Sequence, residues 1–331
     1  MTGPAGPADA PLVELLDVSR QFVRKADLAA RILNLFGGDH RDEVTHAVDG
    51  VSFSIARGEV VGLVGESGCG KSTIGRLVAG LLTPTVGSIR FRDEDIARSG
   101  GPGLAVQMVF QDPYASLNPR KKVAAIVGEA VGVHRIVPGA EVEAYVDAIL
   151  ERCGIERSLK RRFPHQFSGG QRQRIGIARA LAVKPELLVC DEAIAALDVS
   201  IQAQILNLFM SLKDEFGLTY LFISHDLGVV EHISDRVVVM YLGRIVEQAS
   251  TADLFRSPNH PYTRALLSEV PRIDRRKLSF KPVKGEIPSP INPPTGCHFH
   301  PRCPLAMPRC AVERPALREI EPGHLSACHL N

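Results

Sequence analysis

The sequence lacks the features that mark membrane-spanning, secreted or strongly charged proteins. No run of 18 apolar residues occurs in it, so we expect no helix that crosses a bilayer. The opening MTGPAGPADAP has no basic stretch followed by an apolar one, and it therefore does not resemble a secretory signal. With 39 basic and 37 acidic residues, the net charge is only +2, which gives no general attraction to nucleic acid or to anionic membrane. We expect a cytoplasmic globular protein without a nucleic-acid partner.

Cysteine is also scarce, since seven residues are too few for a disulfide scaffold in a chain of 331. Four of them nevertheless fall close to the C-terminus, at Cys297, Cys303, Cys310 and Cys328. This spacing lacks the C-x2-C pairs that are typical of zinc ribbons and common ferredoxins. Four histidines lie nearby as substitute ligands, at His298, His300, His324 and His329. From spacing alone, zinc, an iron–sulfur cluster and unliganded thiols stay open.

Composition divides the chain into segments. Residues 1–11 are rich in Pro, Gly and Ala and are expected to be disordered. Strand-like sequence follows at 12–23, and the polar segment 24–45 is predicted to be an insertion or loop. From Val60 onward, short apolar runs alternate with helical patterns, which predicts parallel strands covered by helices. Residues 281–296 contain five prolines and are predicted to be a stiff linker.

Apolar patterning places the main elements. Three short apolar runs are typical of buried strands, at 60–64, 187–190 and 220–223. The first helix should present one apolar face made of Ile74, Leu77, Val78 and Leu81. A later helix should present Ile201, Ile205, Leu208 and Leu212 and end at Gly217. Two apolar segments around Gly243 predict a hairpin.

Residues 65–72 have the sequence GESGCGKS, which fits the pattern G-x-x-x-x-G-K-[ST]. Its glycines allow backbone N–H groups to turn inward around phosphates, while Lys71 adds positive charge and the Ser72 hydroxyl can coordinate Mg²⁺. The motif lies between a predicted strand and a predicted helix, whose N-terminus attracts anions. The predicted phosphate site comprises Gly65, Glu66, Ser67, Gly68, Cys69, Gly70, Lys71, Ser72 and Thr73. For Cys69, an oxidisable thiol and a merely tolerated small side chain are both open.

Two carboxylates follow the apolar run at 187–190. Asp191 and Glu192 would be costly there unless they met a cation or solvent. If this strand neighbours the phosphate loop, Asp191 can hold Mg²⁺ through water, and Glu192 can face the attacking water as a general base or as a polariser. A solvated strand end is the alternative.

A second helix start has the chemistry of an anion site. In the sequence FSGGQ, Ser168 and Gln171 form a capping-box pattern, and Gly169 and Gly170 leave the helix N-terminus open. One phosphate loop already accommodates one triphosphate. The second helix start therefore suggests two chains facing head to tail with ATP between them. An ordinary well-capped helix is the alternative.

Taken in this order, the motifs resemble those of the ATP-binding cassette (ABC) family over about residues 12–270. GESGCGKST looks like Walker A, LLVCDE like Walker B, and FSGGQ like the family signature LSGGQ with Phe167 in place of Leu. Gln111 in VFQDPYASLNP resembles the Q-loop, Asp198 in ALD the D-loop, and His225 in FISHD the switch histidine. The combination of all six motifs is very specific.

The resemblance implies an α/β fold, the P-loop NTPase ABC nucleotide-binding domain. This fold has a RecA-like parallel-sheet core, an antiparallel β subdomain and a helical subdomain at about 112–181. Residues 271–331 would form a cysteine-rich C-terminal extension that begins with the Pro-rich linker.

The resemblance also implies a role for each matched residue. Lys71 and the loop amides would bind the β/γ-phosphates of ATP. Mg²⁺ would be surrounded by Ser72, Gln111 and Asp191. Glu192 would activate water, and His225 would contact the γ-phosphate and hold Glu192 and the water in line.

Three further assignments concern adenine and a second subunit. The residues that would reach ATP bound to the partner subunit are Ser168, Gly169, Gly170 and Gln171. Asp198 would run along the dimer seam. Adenine in this family stacks on an aromatic residue before Walker A, for which Phe22 is the best candidate; a core position for Phe22 is the alternative.

A finer resemblance is to the ATPase subunits of oligopeptide and dipeptide importers. It rests on QDPYASLNPR, ALDVSIQAQILNL, SPNHPYTRALL and the cysteine tail. In those importers two ATPase subunits, identical or related, sit at the cytoplasmic face under two membrane permeases fed by an extracytoplasmic binding protein. Similar tails can hold a [4Fe–4S] cluster, with Cys297, Cys303, Cys310 and Cys328 as its ligands here and zinc as the alternative. Peptide is the expected solute, and nickel, opines, glutathione or sugars stay open.

Three rival functions fit less well: a soluble ABC ATPase that acts on chromosomes or ribosomes, a P-loop kinase, and a regulatory or structural subunit with a degenerate site. Chromosome-type ABC ATPases need a long coiled coil between Walker A and the signature, but Lys71 and Ser168 are only 97 positions apart. Ribosome-type members usually carry two cassettes in one chain, and this chain has one. A P-loop kinase would not need SGGQ or His225, and a degenerate regulatory subunit would not need both Glu192 and His225.

Overall fold

The structure is a computed structural model that describes residues 10–25, 42–268 and 285–331. Most of the N-terminal segment predicted to be disordered lies outside these ranges. So do most of the predicted insertion at 24–45, the predicted domain boundary at 270 and the start of the Pro-rich linker.

Twelve strands lie in the described ranges. They are β1 (Val13–Arg24), β2 (Glu43–Ile55), β3 (Val60–Val64), β4 (Val86–Phe91), β5 (Glu94–Asp95), β6 (Val106–Val109), β7 (Leu187–Asp191), β8 (Thr219–Ile223), β9 (Arg236–Tyr241), β10 (Arg244–Ser250), β11 (Arg318–Glu321) and β12 (His324–Ser326).

Ten α-helices lie in the same ranges. They are α1 (Lys71–Val78), α2 (Pro113–Ser116), α3 (Val123–Val133), α4 (Val142–Arg152), α5 (Gly169–Leu181), α6 (Val199–Phe216), α7 (Leu227–Ile233), α8 (Thr251–Arg256), α9 (Pro261–Ser268) and α10 (Pro308–Val312). Short 3-10 turns occur at Gly103–Ala105, Gly139–Glu141, Arg157–Leu159, Pro164–Gln166 and His300–Arg302.

The strands form two sheets. The smaller one is antiparallel with the order β2-β1-β4-β5. The larger one has the order β11-β12-β10-β9-β3-β8-β7-β6, and its strands from β9 to β6 are parallel. This mixed sheet, with helices between its parallel strands, confirms the predicted α/β core and the antiparallel sheet beside it.

The apolar runs are continuous because the central strands are buried on both faces. Along β3, Val60 and Val64 enter one hydrophobic cluster, while Val61 and Leu63 enter the other. The same alternation runs through β7 and β8, as the two-residue period of a strand requires. The parallel strands are thereby fixed as a rigid platform between two apolar layers.

The C-terminal residues extend this platform at its edge. β12 pairs with β10 through Glu247 opposite Ser326. The fully buried Glu247 carboxylate accepts hydrogen bonds from the Asn259 and His260 backbone N–H groups and contacts His324 Nε2 at 2.7 Å. A buried carboxylate must be satisfied in this way, so the tail is anchored to the core sheet at this point.

Two local predictions were wrong. The first helix ends at Val78, and Gly80 (φ 71°) follows it, so Leu81 is 58% exposed and does not continue the apolar face. Residues 43–45 belong to β2 and not to a loop, because they pair with residues 22–24 of β1. The predicted helix ending at Gly217 and the hairpin at Gly243 are both confirmed.

Candidate functional site

The candidate site lies at one edge of the larger sheet, where four parallel strands end side by side. The order is β3, β8, β7, β6. The phosphate loop follows β3, the segment with His225 follows β8, and the segment with Gln111 follows β6. Strand β7 ends at Asp191, and Glu192 is the next residue. Four motifs scattered over more than a hundred residues are thus brought to one edge, which is where ligands bind in sheets of this kind.

The phosphate loop is shaped by glycines that no other residue could replace. Gly65 has φ 151° and Gly70 has φ 106°, values that side chains with a Cβ rarely adopt. A Cβ on Gly65 would lie 2.2 Å from the Met240 carbonyl oxygen, and one on Gly70 would lie 2.2 Å from that of Ala47. The loop is therefore held tightly between β2 and the end of β9.

Lys71 begins helix α1 and its side chain folds back over the loop. Its Nζ donates to the carbonyl oxygens of Gly65 at 2.7 Å and Glu66 at 3.0 Å, and the residue is only 5% exposed. Cys69 is buried beneath it, and burial raises the pKa of the Cys69 thiol. A buried neutral thiol is unreactive, which favours the tolerated side chain over the oxidisable one.

Ser72 and Asp191 meet at the junction of α1 and β7. The Ser72 hydroxyl donates to the Asp191 carboxylate at 2.8 Å. Burial raises the pKa of Asp191, the charge of Glu192 raises it further, and the Ser72 hydrogen bond lowers it. A carboxylate and a hydroxyl are the hard oxygen donors that Mg²⁺ prefers. The donor set present therefore fits the ion, and a cation there would offset the cost of burying the carboxylate.

Glu192 and His225 face each other across the ends of β7 and β8. The His225 Nδ1 lies 3.4 Å from Glu192 Oε1. The Glu192 backbone has φ 48°, a left-handed value that is strained for a non-glycine residue. Its N–H nevertheless donates to the Ile223 carbonyl at 3.0 Å. Sheet pairing thus holds the strained residue in place and aims its carboxylate at the site edge.

Gln111 and Phe22 flank the site from two sides. Gln111 lies just beyond β6 and is exposed. Phe22, on β1 opposite Thr45 of β2, is 39% exposed, and the Arg20 guanidinium lies 4.9 Å from its ring centroid. Ala47, two residues along β2 from Thr45, lies against Gly70, so Phe22 belongs to a strand that pairs with the strand lining the phosphate loop. Its exposure rules out the alternative that it is a core residue.

The signature segment forms a separate exposed corner. Ser168 caps α5: its hydroxyl accepts from the Gln171 N–H at 3.3 Å, and the Gln171 side chain accepts from the Ser168 N–H at 3.1 Å. The capping box is thus confirmed. Gly170 packs so closely on α6 that a Cβ would lie 2.5 Å from Ile201 Cγ2. Asp198, at the start of α6, is exposed beside this corner. Within one chain, Ser168 therefore faces solvent.

The four tail cysteines lie near one another. Each of the six pairs among Cys297, Cys303, Cys310 and Cys328 is close enough to interact electrostatically. Burial raises the pKa of Cys297 to about 11, and it also raises those of Cys303 and Cys328. In the part of the chain that is described, however, no group of three His, Cys, Asp or Glu side chains is arranged to hold a metal ion. The structure therefore does not show the predicted cluster.

One feature of the site was missed in the sequence. The Glu66 backbone N–H, in the phosphate loop, donates to the Tyr262 hydroxyl. The Glu66 carboxylate accepts from Arg302 of the C-terminal segment, which comprises residues 285–331. The 236 positions between Glu66 and Arg302 carry no local pattern that could reveal such a contact.

Sequence comparisons give two family matches and many similar proteins. The profile described as "ABC transporter" matches residues 48–195, and the one described as "Oligopeptide/dipeptide transporter, C-terminal region" matches residues 246–310. The oligopeptide transport ATP-binding protein AppF of Bacillus subtilis is 51% identical over 96% of this chain and 97% of its own length. The dipeptide transport ATP-binding protein DppF of Haemophilus influenzae is 45% identical over 96% of both chains.

Solved structures show the same fold. The cbiO1 protein of Clostridium perfringens, part of the ABC transporter complex cbiONQ, aligns with a TM-score of 0.62 and 30% identity, covering 75% of this chain and 91% of its own. The ATP-binding cassette MJ0796, in a dimeric structure with ADP and phosphate, aligns with a TM-score of 0.61 and 25% identity, covering 72% of this chain and 98% of its own.

Among the helices of the described ranges, none has the length and apolar content of a membrane-spanning segment.

Proposed function

This chain belongs to the ATP-binding subunits of oligopeptide and dipeptide ABC transporters, and we propose that it powers peptide uptake by hydrolysing ATP between two such subunits. The family matches establish that the chain is an ABC ATPase. The observation that carries the site assignment is the convergence of four motif-bearing segments at one edge of the sheet. The roles of the individual residues at that edge are part of the proposal.

Nucleotide binding falls to the phosphate loop. Its backbone amides surround the phosphates, and Lys71 exchanges its contacts with the Gly65 and Glu66 carbonyls for the β/γ-phosphate oxygens. Ser72 and Asp191, which lie 2.8 Å apart, would hold Mg²⁺ together with Gln111. The ion would supply positive charge that offsets the charge of the transferred phosphoryl group. Phe22 presents its exposed ring to adenine.

Glu192 and His225 together carry out ATP hydrolysis. Glu192 orients the attacking water and takes up its proton as the bond between the β- and γ-phosphates breaks. His225, 3.4 Å away, holds that carboxylate in line and donates toward the γ-phosphate. The strained Glu192 backbone supports this role, because strain of this kind persists where geometry is functionally constrained.

A second subunit completes the site. Ser168 and Gly169, which are exposed, and Gly170, which is half-buried, form a helix start with the polarity to bind a phosphate. Placed head to tail, each chain would offer this corner to the ATP of its mate, with Asp198 along the seam. The dimeric MJ0796 structure supports such an arrangement. The partner is a second copy or a related ATPase.

The subunit would work at the cytoplasmic face of the membrane beneath two permeases. An extracytoplasmic binding protein would deliver the solute. Peptide is the proposed solute because the similar proteins are named for oligopeptides and dipeptides. Nickel, an opine, glutathione or a sugar is the alternative within the same role.

Uptake assays in the native host test the solute. Deletion of the gene should abolish uptake of a labelled tetrapeptide, and the wild-type chain should restore it. Two membrane permeases should co-purify with the restored chain. Normal peptide uptake with loss of nickel, opine, glutathione or sugar uptake would reassign the solute. Unchanged uptake of all of them, with no permease bound, would favour a soluble ABC ATPase.

The tail carries a separate proposal, a [4Fe–4S] cluster held by four cysteines, with zinc as the alternative. The mutual proximity of the four thiols supports it, as do the backbone N–H groups that approach their sulfurs, such as Met307 N–H to Cys310 Sγ at 3.5 Å. The arrangement described here would have to tighten around the group. The group would be structural, since ATP hydrolysis transfers no electrons.

Metal analysis decides the occupancy of the tail. Protein purified without oxygen should be brown, absorb near ~400 nm and contain about four iron atoms per chain. Substitution of Cys303 by serine should remove the colour, whereas substitution of the buried core residue Cys153 by alanine should not. Stoichiometric zinc would establish the alternative, and metal-free, colourless protein would exclude both.

A further inference from the structure

The C-terminal segment contacts the phosphate loop through one arginine. Arg302 Nη1 and Nη2 donate to the two carboxylate oxygens of Glu66 at 2.7 and 2.9 Å. The two side chains are only 6% and 22% exposed. A planar, two-pronged pair of this kind is stronger and more directional than a single hydrogen bond, so Arg302 defines the position of the Glu66 side chain.

Glu66 is held at its backbone as well. Its N–H donates to the Tyr262 hydroxyl at 2.9 Å, and its carbonyl accepts from Lys71 Nζ at 3.0 Å. The residue that Arg302 binds therefore supplies one of the two carbonyls that position the Lys71 side chain, the other being that of Gly65. A shift of Glu66 would be transmitted directly to Lys71.

Arg302 is itself fixed by the fold of the tail. It ends the 3-10 turn His300–Arg302, which lies between Cys297 and Cys303. Next to that turn, Phe299 is buried against the rings of Tyr241 and Tyr262, with centroids 5.2 and 5.3 Å apart. The turn that carries the arginine is thus packed onto the same tyrosine that binds the Glu66 N–H.

The charges of Glu66 and Arg302 both affect phosphate binding by the loop. A carboxylate in a phosphate loop repels the phosphates that the loop binds, and in a partly buried site this repulsion is weakly screened. Arg302 is the cation that pairs with Glu66 among the described residues. Neutralising this carboxylate removes the repulsion without removing the side chain.

We propose that Arg302 is a positioning residue for the nucleotide site and that the C-terminal segment acts through it as a clasp on the phosphate loop. The affinity for nucleotide then depends on the tail being folded in place, and nucleotide in turn stabilises the tail. This inference rests on the proposed nucleotide site at residues 65–72.

A charge-matched set of variants tests the clasp, with MgADP affinity of the full chain as the readout. Arg302→Gln should weaken MgADP binding about tenfold, the size of coupling seen between contacting charged residues. Adding Glu66→Gln to that variant should restore most of the affinity, because the uncompensated carboxylate is then gone. Arg309→Gln serves as the control, since Arg309 pairs on the surface with Glu313.

The outcomes separate positioning from mere stability. If the double variant binds as weakly as Arg302→Gln, the charge argument is wrong. If Arg302→Gln binds MgADP like the wild type, the C-terminal segment does not act on the nucleotide site through Arg302. Should Arg302→Gln fail to fold, Arg302→Lys keeps the charge without the fork and should lose a smaller part of the affinity.

Hydrogen–deuterium exchange tests whether bound nucleotide stabilises the C-terminal segment. MgADP should slow exchange in residues 297–303 of the wild-type chain, and the Glu66→Gln/Arg302→Gln variant should lose this protection even where it binds nucleotide. Protection that persists in the double variant would overturn the coupling. A wild-type chain that binds no nucleotide would instead refute the proposed site, which keeps the two failures distinct.

Discussion

Glu192→Gln should lower the rate of ATP hydrolysis about a hundredfold or more, the usual contribution of a positioned general base. ATP binding should persist, because the phosphate loop and the Ser72–Asp191 pair are untouched. With binding intact and turnover blocked, two chains should remain closed around ATP. Size-exclusion chromatography with MgATP should therefore show a stable dimer that the wild-type chain shows only transiently.

The matched control for this prediction is Glu231→Gln, since Glu231 is an exposed residue of α7 outside the site. It should hydrolyse ATP and elute like the wild type. Hydrolysis by Glu192→Gln at the wild-type rate would remove Glu192 from the catalytic role and leave the strain in its backbone unexplained.

Ser168→Arg should abolish hydrolysis while leaving MgADP affinity unchanged. Within one chain Ser168 is exposed and bonded only to its own helix start among the described contacts, so we expect a bulky side chain there to leave the phosphate loop of its own subunit intact. Across the seam it would block the γ-phosphate of the partner, and loss of such donors costs about a hundredfold. The measurements are ATP turnover and MgADP titration on the same preparation.

Ser158→Arg is the control, because Ser158 is also an exposed serine and lies within the 3-10 turn Arg157–Leu159 rather than at the start of α5. Loss of the Ser168 cap costs about 1 kcal/mol by itself, so thermal unfolding should reveal only a modest shift. Wild-type turnover of Ser168→Arg would end the head-to-tail arrangement, whereas joint loss of turnover and MgADP affinity would indicate a damaged subunit.

Local patterns predicted much of the site because each motif is a local device. The phosphate loop needs glycines, a lysine and a hydroxyl in consecutive positions, and the structure builds it from those residues between β3 and α1. The capping box at Ser168 and the stop at Gly217 were visible for the same reason, since a helix end is formed by residues three or four positions apart.

Two local predictions failed for different reasons. The apolar stripe extends to Leu81, but the helix stops at Val78 because Gly80, with φ 71°, follows it. Polar residues 43–45 are suited to a loop, but the long strand β1 pairs with them and makes them part of a sheet. Sequence patterns describe what a segment can do, and pairing partners select among these possibilities.

The amino-acid sequence by itself determined which chemistry is available to this protein: the glycines, lysine and hydroxyl of the phosphate loop, the carboxylates of Asp191 and Glu192, and a helix start at Ser168 that is suited to an anion. Only the tertiary structure decided their neighbours. It aligned β3, β8, β7 and β6 so that four motifs share one edge, and it brought Arg302 onto Glu66. Motif chemistry is set by adjacent residues, whereas strand order and long-range ion pairs depend on how the whole chain buries its apolar surface.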